Sequence, residues 1–393
     1  MLQRNIVKRL RRLIASPDFV AFYFKEKMKS WRRKLSYKID KNKSYYPNNV
    51  VLLPTNRCNL SCASCNIGLS HSEKKFADTF ERKKEISIDE WHSIVDKISF
   101  FSPRVSISGG EPFLYPEILE LVKYIKHKGL HCSLTTNATI SLKKGLEELV
   151  DSGLDSLTIS IDGIGETHDQ IRGIKGSFDK TMSFLNKIIA YRKYQRSFHP
   201  FISINCVMSS LNQGRLEEVA DFFVNYDIDS LTYSHVWFYN QEMINLHNKL
   251  CLNTPYEIKE TIGGRFGTHG QKDRNLEELW AKIGLIKEKY GDLNISFFPD
   301  LKNFNELEVY YLYPGRAIRD HKKCYAPWNT IEVFPDGDVE FAGSCFHIHT
   351  GNLIEQDFDD VWNSDSFLEI RKKIKSIGAF PICARCCYIF QQL

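Results

Sequence analysis

Asn49-Val50-Val51-Leu52-Leu53-Pro54-Thr55-Asn56-Arg57-Cys58-Asn59-Leu60-Ser61-Cys62-Ala63-Ser64-Cys65 is a short apolar run that opens into a loop holding three thiols within eight residues. Val50–Pro54 reads as a β-strand, because β-branched and apolar side chains crowd a run too short for a helix. Three thiolates in a loop at the C-terminal end of a strand can converge on one face of a cubane iron–sulfur cluster. Three ligands for four irons leave one iron open, and an open metal position is a place for chemistry. Spacing alone also admits a zinc ion with a fourth ligand elsewhere, although zinc sites usually take CxxC pairs rather than CxxxCxxC.

Outward from this loop the pattern is regular. Apolar, β-branched runs recur at Val105–Ser108, Cys132–Thr136, Leu157–Ile161, Ile202–Val207 and Leu231–Tyr233, with helical stretches between most of them. Ser87 with Glu90 makes a capping box for a helix around Ile88–Phe101. Pro116 and Gly129 punctuate the start and stop of the next helix. Further helices are expected at 143–151, 179–194 and 213–225. Six strands alternating with helices predict a parallel sheet with right-handed crossovers, in an α/β fold. Spacing does not separate an open doubly wound sheet from a partial barrel; in both, ligands bind at the C-terminal strand ends.

Residues 240–320 break the rhythm, with a loop around Gly263-Gly264 and Gly267, a helix at 275–290 and a strand-like run at 293–298. No chemistry attaches to them. Beyond Cys324 a hairpin turned by Pro335-Asp336-Gly337, a helix near 357–376 and a terminal Cys383–Cys387 knot suggest a small separate unit. The expected divisions are 1–48, a basic helical arm and linker; 49–239, the repeating α/β domain; 240–320, a variable insert; and 321–393, the cysteine-bearing unit.

Composition narrows the class. At 42% hydrophobic and 26% charged residues, the 393-residue chain is that of a folded globular protein, not a disordered one. No run of about 18 apolar residues is present to span a membrane. The basic opening fails as a secretory signal, its apolar stretch being cut by Pro17 and Asp18, so a cytoplasmic location is expected. There the 11 cysteines stay reduced and suit metal ligation better than disulfides. Residues 1–44 hold 14 lysines and arginines against 3 acids, leaving the rest of a +5 chain at −6. A nucleic-acid binder would not confine its positive charge in this way. The arm, with Leu10, Phe19, Phe22 and Trp31 among its basic residues, either packs on the main domain or lies on an anionic membrane surface.

Further motifs stand at the strand ends. Ser108-Gly109-Gly110-Glu111-Pro112 closes the second strand and Thr136-Asn137 the third; Ser160-Ile161-Asp162-Gly163, His168-Asp169 and Arg172-Gly173 follow the fourth. CxxxCxxC followed by these motifs, in this order, resembles the radical S-adenosylmethionine (SAM) superfamily over residues 49–236. The resemblance implies a partial (β/α)6 barrel carrying a [4Fe–4S] cluster on Cys58, Cys62 and Cys65. SAM would chelate the fourth iron, and the 5′-deoxyadenosyl radical formed on its reductive cleavage would abstract a substrate hydrogen. It also implies SAM contacts at Gly109, Gly110, Glu111, Asn137, Ser160, Asp162 and Arg172. Glycines let backbone approach a ligand, Glu111 would take the amino group, and Arg172 can clasp a carboxylate with two N–H groups. Ser64 stands where this family usually has an aromatic residue against adenine, so no adenine contact is assigned. A low-potential electron donor such as a flavodoxin or ferredoxin is implied as partner.

Cys324, Cys345, Cys383 and Cys386 form a second constellation, able to ligate a [4Fe–4S] cluster or a zinc ion. With the turn at Pro335–Asp338, Gly351-Asn352-Leu353 and Val361-Trp362-Asn363, it resembles the SPASM/Twitch extension of radical SAM enzymes. One auxiliary cluster is expected, since the sequence runs only seven residues past Cys386; Cys387 is a spare. Cys132 and Cys206 read as small core residues. Tyr233 and His235, at the sixth strand, read equally as side chains facing a ligand and as satisfied core or rim groups; His235 is the catalytic candidate. His347 and His349 follow Cys345 and contact either the auxiliary cluster or nothing. The short basic arm does not resemble the peptide-recognition domain of many peptide-modifying relatives. The expected substrate is therefore a small polar or glycan-related molecule, with a peptide as the alternative. A non-catalytic iron–sulfur or zinc scaffold is the reading from another class; it has no use for Gly109–Pro112 or Arg172.

Overall fold

The computed structural model describes residues 44–63, 65, 84–142, 145–238, 240–252, 254, 256–258, 274–290, 294–313, 315–318, 323–341 and 348–390, together with Met28 and Tyr37. Strand β1 (Asn49–Leu52) is followed by α1 (Ile88–Ser99), β2 (Arg104–Ile107), α2 (Ile118–His127), β3 (His131–Thr136), α3 (Glu147–Asp151) and β4 (Ser156–Ser160). Then come α4 (Glu166–Arg172), α5 (Ser177–Tyr194), β5 (Phe201–Met208), α6 (Leu216–Phe223), β6 (Ser230–His235), α7 (Gln241–Cys251), α8 (Leu276–Lys289) and β7 (Ile295–Phe298). The chain closes with α9 (Phe304–Leu312), β8 (Thr330–Val333), β9 (Asp338–Phe341), β10 (Ile348–Asn352), α10 (Phe358–Trp362), α11 (Asp365–Ile377) and α12 (Cys387–Phe390).

Among the described residues the strands form one sheet in the order β10-β9-β8-β1-β2-β3-β4-β5-β6-β7. β1 to β7 pair in parallel and in chain order. With right-handed crossovers, stepping always in one direction lays every connecting helix on the same face. A doubly wound sheet reverses its order, so the alternative left open by spacing is settled in favour of the partial barrel. The helix-covered face is the core: Val50, Leu52, Val105, Leu134, Leu157, Ile159, Ile202, Ile204 and Leu231 are all buried. Apart from Val51, the residues between them point the other way and are polar. Ser133 donates to Ser106 (3.0 Å), Ser230 to Ser203 (2.8 Å) and Ser234 to Asn205 (2.6 Å) across neighbouring strands.

The expected capping box is present: Glu90 N donates to Ser87 Oγ, and Ser87 N to the Glu90 carboxylate. The helix expected at 143–151 begins at Glu147, and a 3-10 turn precedes α6. The single helix expected near 357–376 is two, because Ser364 caps a new start by accepting from Phe367 N. The run at 293–298 is more than an isolated strand: β7 pairs with β6 and extends the sheet. β8 and β9 form the expected hairpin, but β8 also pairs in parallel with β1, register Asn49 to Thr330. The cysteine-bearing unit is therefore joined to the strand that opens into the cysteine loop. Lys97 Nζ on α1 adds bonds to the carbonyls of Leu353 and Gln356, each 2.9 Å.

Most of the basic arm lies outside the described residues. At Tyr37 its ring packs edge-on against Tyr325 (4.7 Å between centroids) and Trp328 (4.9 Å). No helix among the described residues is long and apolar enough to cross a membrane.

Candidate active site

Parallel pairing in register brings the ends of β1 to β7 to one edge, so the cysteine loop and the motifs of the sequence meet there. The loop is held from below by backbone. Gly110 N donates to Thr55 O (2.9 Å) and Glu111 N to Arg57 O (2.8 Å). A Cβ at Gly109, whose φ is +116°, would lie 2.6 Å from Thr55 O, and one at Gly110 would lie 2.0 Å from Arg57 O. The two glycines thus permit close approach, and what approaches is the cysteine loop. Gly173 does the same against Ser61 O (2.7 Å), while Ala63 N donates to Ile171 O (2.9 Å). Arg57 forks onto Glu85 with two bonds of 2.7 Å, and Glu85 also accepts from Thr55 Oγ1.

Two buried acids stand behind the thiols. The Glu111 carboxylate accepts from Thr136 Oγ1 (2.7 Å), Asn137 N (2.8 Å) and Phe113 N (3.2 Å). It is fully buried and its bonds go to protein, so the structure gives it the task of fixing Asn137. Asn137 Nδ2 in turn donates to Asn59 Oδ1 (3.0 Å) and lies 3.9 Å from Cys58 Sγ. Asp162 pairs with Arg172 (2.8 Å) and accepts from Val207 N (2.9 Å). Arg172 Nη1 reaches Cys62 Sγ at 3.8 Å, and its buried Nε has no protein partner among the described residues. His168 Nδ1 accepts from Asp162 N (3.3 Å); burial, reinforced by the Arg172 charge, depresses this imidazole to about 3 and keeps it neutral. Ser160 ends β4 beside them. Burial pushes the Cys62 thiol up to about 11 against the pull of Arg172, and raises Cys58 likewise.

Farther along the same edge lies a cavity of about 370 Å³. Its wall is Val207, Val236, Trp237, Phe298, Tyr310 and Phe390, with Ser234, His235, Arg385 and Cys387 as polar points. The C-terminal segment contributes Arg385, Cys387 and Phe390 to it, beside the ends of β5, β6 and β7. His235 is buried, its Nδ1 is 2.8 Å from Tyr311 Oη, and burial holds it down to about 3, so it is neutral. Tyr233, the other candidate of the sixth strand, points into the core and donates to Leu216 O (2.8 Å). The Arg385 guanidinium is spent on carbonyls, including those of Val309, Tyr310 and Tyr313. Cys387 is an exposed residue of the cavity wall.

Two family patterns match: the Radical SAM superfamily over residues 52–223 and an iron–sulfur cluster-binding domain, SPASM, over residues 324–387. An AdoMet-dependent heme synthase of Methanosarcina barkeri is 32% identical over 343 residues, 83% of this chain and 85% of that protein. The chain belongs to the radical SAM superfamily. A PqqA peptide cyclase of Rhodopseudomonas palustris is 28% identical over 350 residues, covering 86% of this chain and 79% of the relative. Among solved structures, Streptococcus suis SuiB bound to S-adenosylmethionine superposes with a TM-score of 0.59 at 18% identity, over 89% of this chain and 75% of that one. That likeness is one of fold.

This radical SAM enzyme uses a [4Fe–4S] cluster and SAM, and its SPASM domain carries auxiliary iron–sulfur chemistry. The residues present fit the first group. Three thiols share one loop, two of them faced by N–H donors of the kind cluster sulfurs accept, beside an arginine with a buried N–H to spare. Among the described residues no three His, Cys, Asp or Glu side chains close to the shell of a single ion; a cubane takes its thiolates farther apart. Cys345, Ser64 and His347 lie outside the described residues. His349 is paired with Asp338 (3.2 Å) between β10 and β9. The sequence reading missed Arg57–Glu85, the Asn59–Asn137 bond and, His235 apart, the cavity wall. Only the polar alternation in β2 to β6 offered a signal for the open face.

Proposed function

We propose that Cys58, Cys62 and Cys65 hold the SAM-cleaving cluster, and that SAM lies along the ends of β1 to β4 among Gly109, Gly110, Glu111, Asn137, Ser160, Asp162 and Arg172. Hydrogen is taken from a compact small molecule with an apolar ring face, bound in the cavity at the ends of β5 to β7. Bound cluster and SAM supply an organic radical able to take hydrogen from carbon. The chain does the rest. The glycine pair fixes the loop, Asn137 and Arg172 aim N–H groups at two thiolates, and the buried acids Glu111 and Asp162 hold those donors in place. The cavity's aromatic wall offers the substrate an apolar surface. Neutral His235, paired with Tyr311, offers a polar hydrogen-bonding point at the cavity edge. A low-potential electron donor such as a flavodoxin or ferredoxin completes the system.

The observation that carries the substrate reading is the cavity: about 370 Å³, with Trp237, Phe298, Tyr310 and Phe390 as its aromatic wall and Ser234, His235, Arg385 and Cys387 as polar points. The heme synthase among the relatives supports a ring-bearing small molecule; a glycan-related substrate has no such support. The PqqA peptide cyclase favours the second reading, a peptide. A dialysable extract and a peptide fraction from the producing cells would each be added to the reconstituted enzyme with SAM. The small-molecule fraction should raise 5′-deoxyadenosine above background, and Trp237→Ala should abolish that rise while leaving the background. A rise with the peptide fraction alone contradicts the proposal.

A further inference from the structure

Asn212 opens the 3-10 turn Gln213–Arg215 that precedes α6. An asparagine at a helix start ordinarily turns its side chain onto the N–H groups two or three residues on. Here it makes no such bond, and the residue is buried. Its side chain runs inward instead. Asn212 Oδ1 accepts from Ser209 N (2.7 Å), while Nδ2 donates to Val207 O (2.8 Å) and Asp162 O (2.7 Å). The surroundings force this orientation of the amide, because a backbone N–H only donates and the two carbonyls only accept. The bond to Asp162 ties the loop after β5 to the loop after β4.

Every polar atom of Asp162 is engaged by protein. Its N donates to His168 Nδ1 (3.3 Å), its O accepts from Asn212, and its carboxylate accepts from Val207 N (2.9 Å) and pairs with Arg172 Nη2 (2.8 Å). The residue is thus clamped from α4 and from the end of β5 at once. What it holds is the guanidinium whose Nη1 lies 3.8 Å from Cys62 Sγ and whose Nε has no protein partner among the described residues. In a buried network, removing one member leaves the others without bonds that water cannot readily replace. Val207 shares the clamp through both its N–H and its carbonyl, and it also lines the cavity.

We propose that Asn212 is a positioning residue for SAM, acting through Asp162 on Arg172. The assignment rests on the reading that Arg172 meets SAM beside Cys62. It goes beyond that reading by placing control of the arginine on the loop after β5. Because Val207 belongs to the same clamp, this one side chain ties the SAM end of the edge to the cavity wall.

The test measures SAM affinity by equilibrium dialysis on the reconstituted full chain, without reductant, with iron counted so that affinity is stated per loaded site. Asn212→Ser and Asn212→Asp are compared with the parent. Both are good residues for a helix start, so a role confined to starting the turn predicts no change. Both lose the amide that reaches Asp162 O, and each should raise the Kd for SAM about tenfold. The change that SAM makes in the EPR spectrum of the reduced enzyme should be weakened in the same variants. Two further variants separate the possible failures. Arg172→Met tests the underlying reading and should weaken SAM at least as much. Asp229→Asn disturbs a buried clip at the other end of β5, where Asp229 accepts from Ile202 N (2.8 Å) and Arg192 Nη1 (2.5 Å), and should bind SAM as the parent does. Melting curves identify any variant that does not fold, and the two Asn212 changes stand in for one another. Unchanged SAM affinity in the folded Asn212 variants, with a loss in Arg172→Met, overturns the proposal and leaves the reading of Arg172 standing. Unchanged affinity in Arg172→Met overturns that reading and the proposal with it. An equal loss in Asp229→Asn overturns the proposal too, since any loosening of the sheet would then have the same effect.

Discussion

A methyl group at Gly110 would sit 2.0 Å from the Arg57 carbonyl, a backbone atom that cannot swing aside as a side chain does. Overpacking of this kind costs about 1–3 kcal/mol, and here the strain falls on the loop that bears the thiols. Gly110→Ala is therefore expected to keep the sheet, judged by circular dichroism, while losing most of the iron bound at Cys58, Cys62 and Cys65. Unchanged iron would show that the loop does not depend on this approach. The sequence made the glycines legible and suggested a ligand as what comes near; the structure shows loop backbone there. Glu111 is similar. Its position at a strand end was readable, but the direction of its carboxylate depends on Thr136 and Asn137, on a neighbouring strand.

At the scale of elements, the apolar halves of β1 to β6 stood out in the sequence because buried strands need them. The polar halves carried the same alternation, but which face lies open depends on every crossover stepping one way. β7 was readable as a strand and not as a neighbour of β6, since pairing across the intervening residues has no local signal. The junction between β8 and β1 was invisible for the same reason. Lys97 strengthens that junction, reaching from α1 to the carbonyls that follow β10. Hydrogen bonds from a charged group contribute about 1.5–3 kcal/mol. Lys97→Met should lower stability to denaturant by about that amount without altering bound iron. A loss below about 0.5 kcal/mol would mean that β8 pairing alone holds the unit.

For the whole molecule, one parallel edge brings together the cysteine loop, the acids behind it and the cavity, and the C-terminal unit lines the cavity with Arg385, Cys387 and Phe390. This arrangement predicts that SAM cleavage and substrate selection are separable: the first belongs to the ends of β1 to β4, the second to β5 to β7 and the last residues of the chain. The most direct test is anaerobic reconstitution with iron and sulfide, followed by reductant and SAM. 5′-Deoxyadenosine is measured beside iron on the same sample, and the Cys58, Cys62 and Cys65 triple alanine variant is run in parallel. The account predicts 5′-deoxyadenosine from the intact chain and none from the variant, which still holds its auxiliary iron. An intact chain that is loaded with iron and leaves SAM uncleaved would contradict it.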